Sequence, residues 1–323
     1  MKVAVTGASG HLGNVLCQAL IKENYSVRAF YNSDKRALEK LNLEMIQGDL
    51  LNIEDVENLI EGCDIVFHSG AKISIDKDLD KSVYNTNVLG TQNVLNACKK
   101  FNVKKLIHVS STHVSQESPQ NEILKETRAY KSNKYAYESS KIEAEKLVLS
   151  FLRDNELSAC IVRPSSIVGP YDFKPSEFGK ALLDFRAKKI PILPPGGYDF
   201  VDVRDLVNSM INSINKFKNG EIYHLTGKYH TIKEISLEIK NITKVKVPKF
   251  VLPYWLMFGL LPFIRLWSKI TKSAPLFTIQ SISTLKNGHK NIDNSKAKRD
   301  FNLEYRPIKD TISDFYDWYD NEF

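Results

Sequence analysis

Short apolar runs alternate along the chain with stretches in which apolar residues recur every three or four positions. Residues 3–6 predict a buried strand, and Leu12, Val15, Leu16, Ala19 and Leu20 then repeat at helical spacing. The same alternation predicts strands at 27–31, 45–46, 65–67, 106–109 and 160–162. Helices are expected between them, around 35–41, 56–60, 81–99 and 137–154. Apolar strands separated by amphipathic helices imply a parallel sheet covered on both faces, and right-handed crossovers make a doubly wound α/β fold the economical one. After Pro164 the alternation loosens. Residues 191–197 (P-I-L-P-P-G-G) form a turn-rich break, followed by a smaller, mostly helical lobe built from non-contiguous pieces. The expected division is 1–170 for the sheet domain and 171–323 for a substrate lobe, with 198–230 returning to the first.

Composition narrows the class. With 323 residues, 42% of them hydrophobic, the chain can bury a large core and is too apolar to be disordered. The net charge of +7 raises nucleic acid as a partner, but basic residues mix with acidic ones at 122–128 and 141–146. A solvated Lys-rich surface is the expected cause, and nucleic-acid binding is set aside. Cys17, Cys63, Cys98 and Cys160 are far apart with no C-x-x-C pair, which predicts reduced thiols in a cytoplasmic protein and no metal site. Met1-Lys2 runs directly into the first strand, so no secretion signal is expected. Only 250–267 approaches membrane length, and Arg265, Gly259 and two prolines argue against a spanning helix.

The first candidate chemistry is T-G-A-S-G-H-L-G at 6–13, with Gly7, Gly10 and Gly13 at intervals of three between a strand and a helix. Gly7 permits the sharp turn, Gly10 lets the backbone approach a pyrophosphate, and Gly13 lets the helix pack closely. Ser9, His11 and Leu12 complete the turn, whose free N–H groups favour an anion. Such glycines also occur in purely structural turns; the position at the end of the first strand favours a dinucleotide. The tip of the second strand reads F-Y-N-S-D-K-R at 30–36 and lacks the carboxylate expected to hold the ribose of NAD. Asn32 and Lys35 there point to NADP, with NAD still open because Asp34 lies close by.

A Tyr-x-x-x-Lys pair places an ammonium one helical turn from a phenol, which lowers the phenol pKa and suits it to proton transfer. The spacing occurs at Tyr31/Lys35, Tyr130/Lys134, Tyr137/Lys141, Tyr229/Lys233 and Tyr305/Lys309. Only Tyr137 and Lys141 open a long helix after a strand ending in Ser110-Ser111-Thr112, so Ser111, Tyr137 and Lys141 are the candidate catalytic set.

At this point the sequence resembles the extended short-chain dehydrogenase/reductase family, which includes the NAD-dependent epimerases and dehydratases and has a Rossmann fold. The matching segments are the glycine turn, G-D-L at 48–50, H-S-G-A at 68–71, N-V-L-G-T at 87–91, V-S-S at 109–111 and Y-E-S-S-K at 137–141. R-P-S-S-I-V-G-P at 163–170 and F-V-D-V-R-D at 200–205 follow, and S-K-A-K-R-D-F at 295–301 is similar to the family's C-terminal end. The resemblance implies that Asp49 and Leu50 contact the adenine end of the cofactor and that Gly70 and Ala71 line its path. It further implies that Lys141 holds the nicotinamide ribose, that Pro164 and Ile167 pack near the carboxamide, and that Asn87 supports the polar network behind the site. Ser111 would stabilise the oxyanion while Tyr137 moves the proton. Homodimers formed through the Tyr137 helix and the helix at about 78–100 are also implied.

The branch turns on departures. Thr112-His113-Val114-Ser115 lacks the Asp-Glu pair of the dehydratases, and R-P-S-S-I-V-G-P resembles the dihydroflavonol-reductase and 3β-hydroxysteroid-dehydrogenase branch. The expectation is an oxidoreductase moving hydride between NADP(H) and a carbonyl or secondary alcohol of modest polarity. A sugar-nucleotide epimerase or dehydratase using the same residues, and a non-catalytic dinucleotide sensor, are the alternatives. The segment 250–267 would form an apolar pocket wall, a core helix pair broken by prolines, or, across 250–272 with Lys249, Arg265, Lys269 and Lys272, a weak contact with a membrane surface. His113 and Lys72 are placed either toward the site or away from it, and Asp202, Arg204 and Asp205 at a charged junction between lobes.

Overall fold

The computed structural model describes residues 1–73, 81–117, 119, 121–132, 135–271 and 278–323, without the side chains of 264–271 and 280. In its first half β1 (Lys2–Thr6), α1 (His11–Lys22), β2 (Ser26–Tyr31), β3 (Glu44–Gln47), α2 (Ile53–Ile60) and β4 (Ile65–His68) alternate as the apolar pattern requires. They continue through α3 (Lys81–Tyr84), α4 (Gly90–Lys100), β5 (Lys105–Val109), α5 (Ala136–Phe151) and β6 (Ser158–Pro164). The second half adds β7 (Ser166–Val168), α6 (Glu177–Arg186), β8 (Gly197–Asp202), α7 (Val203–Ser213), β9 (Ile222–Leu225) and β10 (Lys228–Thr231). Five helices complete the chain: α8 (Ile232–Thr243), α9 (Tyr254–Thr271), α10 (Ile279–Asn287), α11 (Ser295–Phe301) and α12 (Ile308–Glu322).

Seven parallel strands form the large sheet in the order β3-β2-β1-β4-β5-β6-β9. The strand order reverses between β1 and β4, where a Rossmann sheet opens its ligand crevice. Alternate strand residues feed two cores, as a sheet buried on both faces demands. Val3, Val5, Phe67, Ile107 and Val162 pack with α1, α7 and α11, while Ala4, Val66, Leu106 and Ile161 pack with α2, α4 and α5. The smaller sheet, β10-β8-β7, carries a third core shared with α6, α8 and α12. Segment 198–230 is divided between the two sheets. β8 and β10 belong to the small one, whereas α7 packs on α1 and β9 closes the large sheet beside β6.

Two expected helices differ. Residues 36–40 are successive turns, with Leu38 N–H bonded to Lys35 O and Leu41 N–H to Leu38 O. Buried Ala37 and Leu38 fall at an apolar spacing that mimics a helix, but the crossover between the parallel strands β2 and β3 buries them through turns instead. The helix expected at 81–99 is interrupted by a π turn, Asn85–Leu89, a distortion often found at functional sites. Segment 250–267 is not a pair of helices broken by prolines. Pro253 precedes α9 and its carbonyl accepts from Leu256 and Met257, while Pro262 lies inside the helix on an exposed face. Among the described residues, no helix is long and apolar enough to cross a membrane.

The lobe is tied to the sheet by charge. Arg204 clamps Asp202 with two nitrogens and reaches Asp314 at 2.6 Å, and Arg306 binds Asp205 at 2.7 Å, so these residues form the expected junction.

Candidate active site

Because the strands run parallel, every loop that leaves a C-terminal strand end lies along one edge. Gly7 to Gly13 follow β1, Asn32 and Lys35 follow β2, Asp49 and Leu50 follow β3, and Gly70 and Ala71 follow β4. Ser111 follows β5, while Pro164 and Ile167 bracket the passage from β6 to β7.

Gly7 has φ +66°, and a Cβ there would stand 2.6 Å from the Gly70 Cα, so the β1 and β4 loops touch backbone to backbone. A Cβ on Gly13 would lie 2.1 Å from the Gly7 carbonyl, which is the close packing its position predicts. Gly10 differs: its Cβ would meet only the Gly7 carbonyl, at 3.3 Å. Gly10 is the N-cap of α1, and no side chain caps that helix end. The first-turn N–H groups therefore face the crevice free to hold an anion, and the turn fits a dinucleotide pyrophosphate. Ser9 and Leu12 are half-buried beside it, and His11 donates from Nε2 to the Pro170 carbonyl at 2.9 Å, joining the turn to the loop after β7.

The other loops are held with equal care. Thr91 gives its hydroxyl proton to the Asn87 carbonyl at 2.6 Å, so buried His68 must donate to Thr91 from Nε2 and accept from Thr6 at Nδ1. Burial drives His68 down to about 3 and keeps it neutral in this role. Thr6 Oγ1 also accepts from the Gly70 N–H at 3.0 Å. Asn87, on the π turn, exchanges two bonds with the Lys72 backbone and donates to Ser140 Oγ at 2.8 Å, and Ser140 donates to the Tyr137 carbonyl. The candidate cofactor loops and the Tyr137 helix thus share one hydrogen-bonded network. Lys72 is exposed and donates to Ser82 at 2.5 Å.

At the second-strand tip the charges pair with one another. Asp34 takes two bonds from the Arg36 guanidinium at 3.0 and 2.7 Å, which holds its carboxyl below the usual range, and Lys35 lies 3.6 Å from Glu39. Asn32 is exposed and donates to the Gly48 carbonyl at 3.3 Å. Asp49 folds onto its own loop, accepting from the Leu51 N–H at 2.9 Å, whereas buried Leu50 props Gly70 and Gly90. Ala71 is exposed, Pro164 is buried at the end of β6, and Ile167 packs on the sheet core.

Ser111 lies close to Tyr137, near enough for its hydroxyl to bear on the phenol. Burial drives the Tyr137 hydroxyl up to about 12, Glu138 pushes the same way, and the nearby Ser111 hydroxyl opposes both. The expected lowering by Lys141 does not occur. Buried Lys141 is itself pulled down to about 8 and donates its ammonium to the Val109 carbonyl at 2.5 Å. Of the other Tyr-x-x-x-Lys pairs, Tyr229 lies on β10, Tyr305 in a loop and Tyr31 at the end of β2; Lys134 lies outside the described residues.

Beside Ser111 opens a pocket that the sequence does not announce. His113 faces it together with Thr112, Glu117, Tyr198, Asp199 and His289. Asp199 is buried, which raises its carboxyl, and accepts from the Gly227 N–H at 2.8 Å. Its only sequence signal is a carboxylate inside the apolar strand Y-D-F-V. None of the described residues of 250–267 lines this pocket: Met257 and Leu261 pack on Ile282 instead, so the apolar wall expected from that segment is absent there.

A reversed parallel sheet, an uncapped glycine turn at its switch point and a Ser/Tyr/Lys set beyond the next strand define a Rossmann-type dinucleotide site. The sequence matches the profile of the NAD dependent epimerase/dehydratase family over residues 3–226, and the chain belongs to that family. It is 31% identical over 336 residues to the sterol demethylase protein B of Methylococcus capsulatus, covering 99% of this chain and 98% of that one. It is 28% identical to a putative dihydroflavonol 4-reductase of Synechocystis, over 98% and 94% of the two chains. Among solved structures, gox2253 superposes with TM-score 0.85 at 26% identity over 99% of this chain and 98% of that one. A Thermotoga maritima UDP-glucose 4-epimerase shares the fold at TM-score 0.81 and 19% identity, over 99% of each chain. The cofactor class is accordingly a nicotinamide adenine dinucleotide.

Proposed function

We propose that the protein is an NAD(P)H-dependent reductase of a ketone or aldehyde of modest polarity, working through Ser111, Tyr137 and Lys141. The observation that carries this reading is the charge of the pocket beside Ser111. Glu117 and Asp199 face it, and none of the described residues that line it is Lys or Arg. A nucleotide-sugar substrate brings a diphosphate that calls for cationic or N–H partners, and two carboxyls would repel it. Relatives support the same direction, since 2-alkyl-3-oxoalkanoate reductases of Shewanella oneidensis and Stenotrophomonas maltophilia match about half of the chain at 38% and 34% identity.

The dinucleotide supplies or accepts the hydride when bound. Gly10 and the α1 N-terminus would hold its pyrophosphate, with Leu50, Gly70, Ala71, Pro164 and Ile167 along its length. The chain's own work concerns the oxygen of the substrate. Ser111 donates to the carbonyl oxygen and holds the charge that grows there, and Tyr137, a phenol at neutral pH, delivers the proton. The product leaves with one hydride on carbon and one proton on oxygen, and Tyr137 is then reprotonated from solvent beside the Lys141 charge. NADP is preferred in this reading because Lys35 and Arg36 flank the second-strand tip. The test is NADPH oxidation across aldehydes, diketones, cyclic ketones and UDP-sugars. Tyr137→Phe should lower turnover by roughly 10²–10⁴-fold, the usual contribution of a positioned acid. Unchanged turnover in that variant would remove Tyr137 from the mechanism.

A further inference from the structure

The charge of this chain is not evenly spread. Of its 45 Lys and Arg, nine fall within residues 239–292, and of its 38 Asp and Glu, none does. The segment carries +9, and the rest of the chain is therefore net −2. The scatter of basic among acidic residues at 122–128 and 141–146 does not extend here.

Within the same segment lies the largest group of exposed aromatics. Phe250 is 76% exposed, Trp255 75% and Phe263 69%, with Val251 at 38%. Helical spacing explains the grouping. Met257 and Leu261, one turn apart, turn inward against Ile282, whereas Trp255, Gly259, Pro262 and Phe263 share the opposite, exposed face of α9. Exposed Lys244, Lys246 and Lys249 lead directly into Phe250 and the helix. A soluble surface seldom leaves three large aromatics together in water.

We propose that the outer face of α9, with the lysines that precede it, docks on the surface of an anionic phospholipid bilayer. Trp255 and Phe263 enter the headgroup boundary, where aromatic rings partition well, and the lysines meet lipid phosphates and carboxylates. Charge selects this occupant: an apolar patch preceded by three exposed lysines, in a 54-residue segment of nine cations and no carboxylate, repels a second copy of itself. The helix lies on the membrane rather than through it, since none among the described residues can cross. The inference is independent of the reductase reading, as it uses no residue of the active site.

The test is sedimentation of the full chain with phosphatidylcholine vesicles and with vesicles of equal parts phosphatidylcholine and phosphatidylglycerol. Binding is expected to the anionic vesicles, and raising salt toward 1 M, where charges are screened within about 3 Å, should release the protein. Lys244→Gln/Lys246→Gln/Lys249→Gln should lower partitioning by about a hundredfold, from the usual gain per lysine at an anionic surface. Trp255→Ser/Phe263→Ser should lower it with an unchanged circular dichroism spectrum, which separates lost contact from lost fold. No binding to anionic vesicles, equal binding to neutral ones, or variants that bind as tightly as the parent would overturn the proposal. So would self-association at micromolar concentration that the Trp255→Ser/Phe263→Ser pair abolishes, because a second copy would then own this face.

Discussion

The Lys141 ammonium donates to the Val109 carbonyl at 2.5 Å, so the residue one turn from Tyr137 is anchored to the last residue of β5, the strand that leads to Ser111. The bond fixes the spacing of α5 from β5, and with it the approach of Tyr137 to Ser111. It also leaves a cation in a buried place, which brings Lys141 down to about 8, while Tyr137 is driven up to about 12 by its own burial and by Glu138.

Those two shifts set a pH profile. A lowered lysine is charged below pH 8 and neutral above it, whereas a raised phenol stays protonated through the whole working range. Reduction needs the phenol and benefits from the charge, so kcat/KM for reduction should fall as pH rises through about 8, and Lys141→Met should be slow at every pH with that limb gone. A pH–rate profile in both proteins checks this. A fall that persists in Lys141→Met would assign the limb to another group.

The three glycines should separate by role. Gly13→Ala meets the Gly7 carbonyl at 2.1 Å and is expected to destabilise the fold itself. Gly10→Ala meets only that carbonyl, at 3.3 Å, and should lose dinucleotide affinity with little loss of stability. Thermal unfolding with and without NADPH distinguishes them. Equal destabilisation of both free proteins would make Gly10 a packing glycine.

Cofactor choice depends on whether Arg36 can leave Asp34. Asp34→Asn frees the guanidinium for a ribose 2′-phosphate and should raise the NADPH-to-NADH ratio of kcat/KM, on the order of tenfold for one charge-assisted contact. Arg36→Ala should lower the ratio. If neither substitution moves it, discrimination lies elsewhere.

Arg163 and Glu145 form a pair inaccessible to water, joined at 2.9 and 2.6 Å, and Tyr130 donates to the same carboxylate at 3.0 Å. Glu145→Ala would strand a buried guanidinium and should cost about 3–5 kcal/mol in chemical denaturation. Replacing both partners with leucine should restore most of that loss, because the apolar pair needs no solvation. A double variant as unstable as the single one would show that the pair contributes more than mutual neutralisation.

How much of this was legible in the sequence follows from the range of each interaction. β1, β2, β4, β5 and β6 stand out because each is a short apolar run buried on both faces, and the glycine turn stands out because its residues are neighbours. The Lys35–Leu41 stretch misleads for a local reason: Ala37, Leu38 and Leu41 repeat like a helix but serve a turn. The pocket is hidden because Glu117, Asp199 and His289 meet only in three dimensions. Arg163 and Glu145, 18 residues apart on a strand and a helix, are hidden for the same reason. The raised Tyr137 phenol is hidden as well, because the ammonium four residues on is turned toward the Val109 carbonyl.

The most direct measurement of the central claim is the stoichiometry of NADPH oxidised to product formed with purified protein. One NADPH consumed per alcohol produced from a carbonyl substrate, with UDP-sugars left unchanged, is the result this account predicts. Conversion of a UDP-sugar with no net cofactor consumption would contradict it, and would return Ser111, Tyr137 and Lys141 to an epimerase or dehydratase.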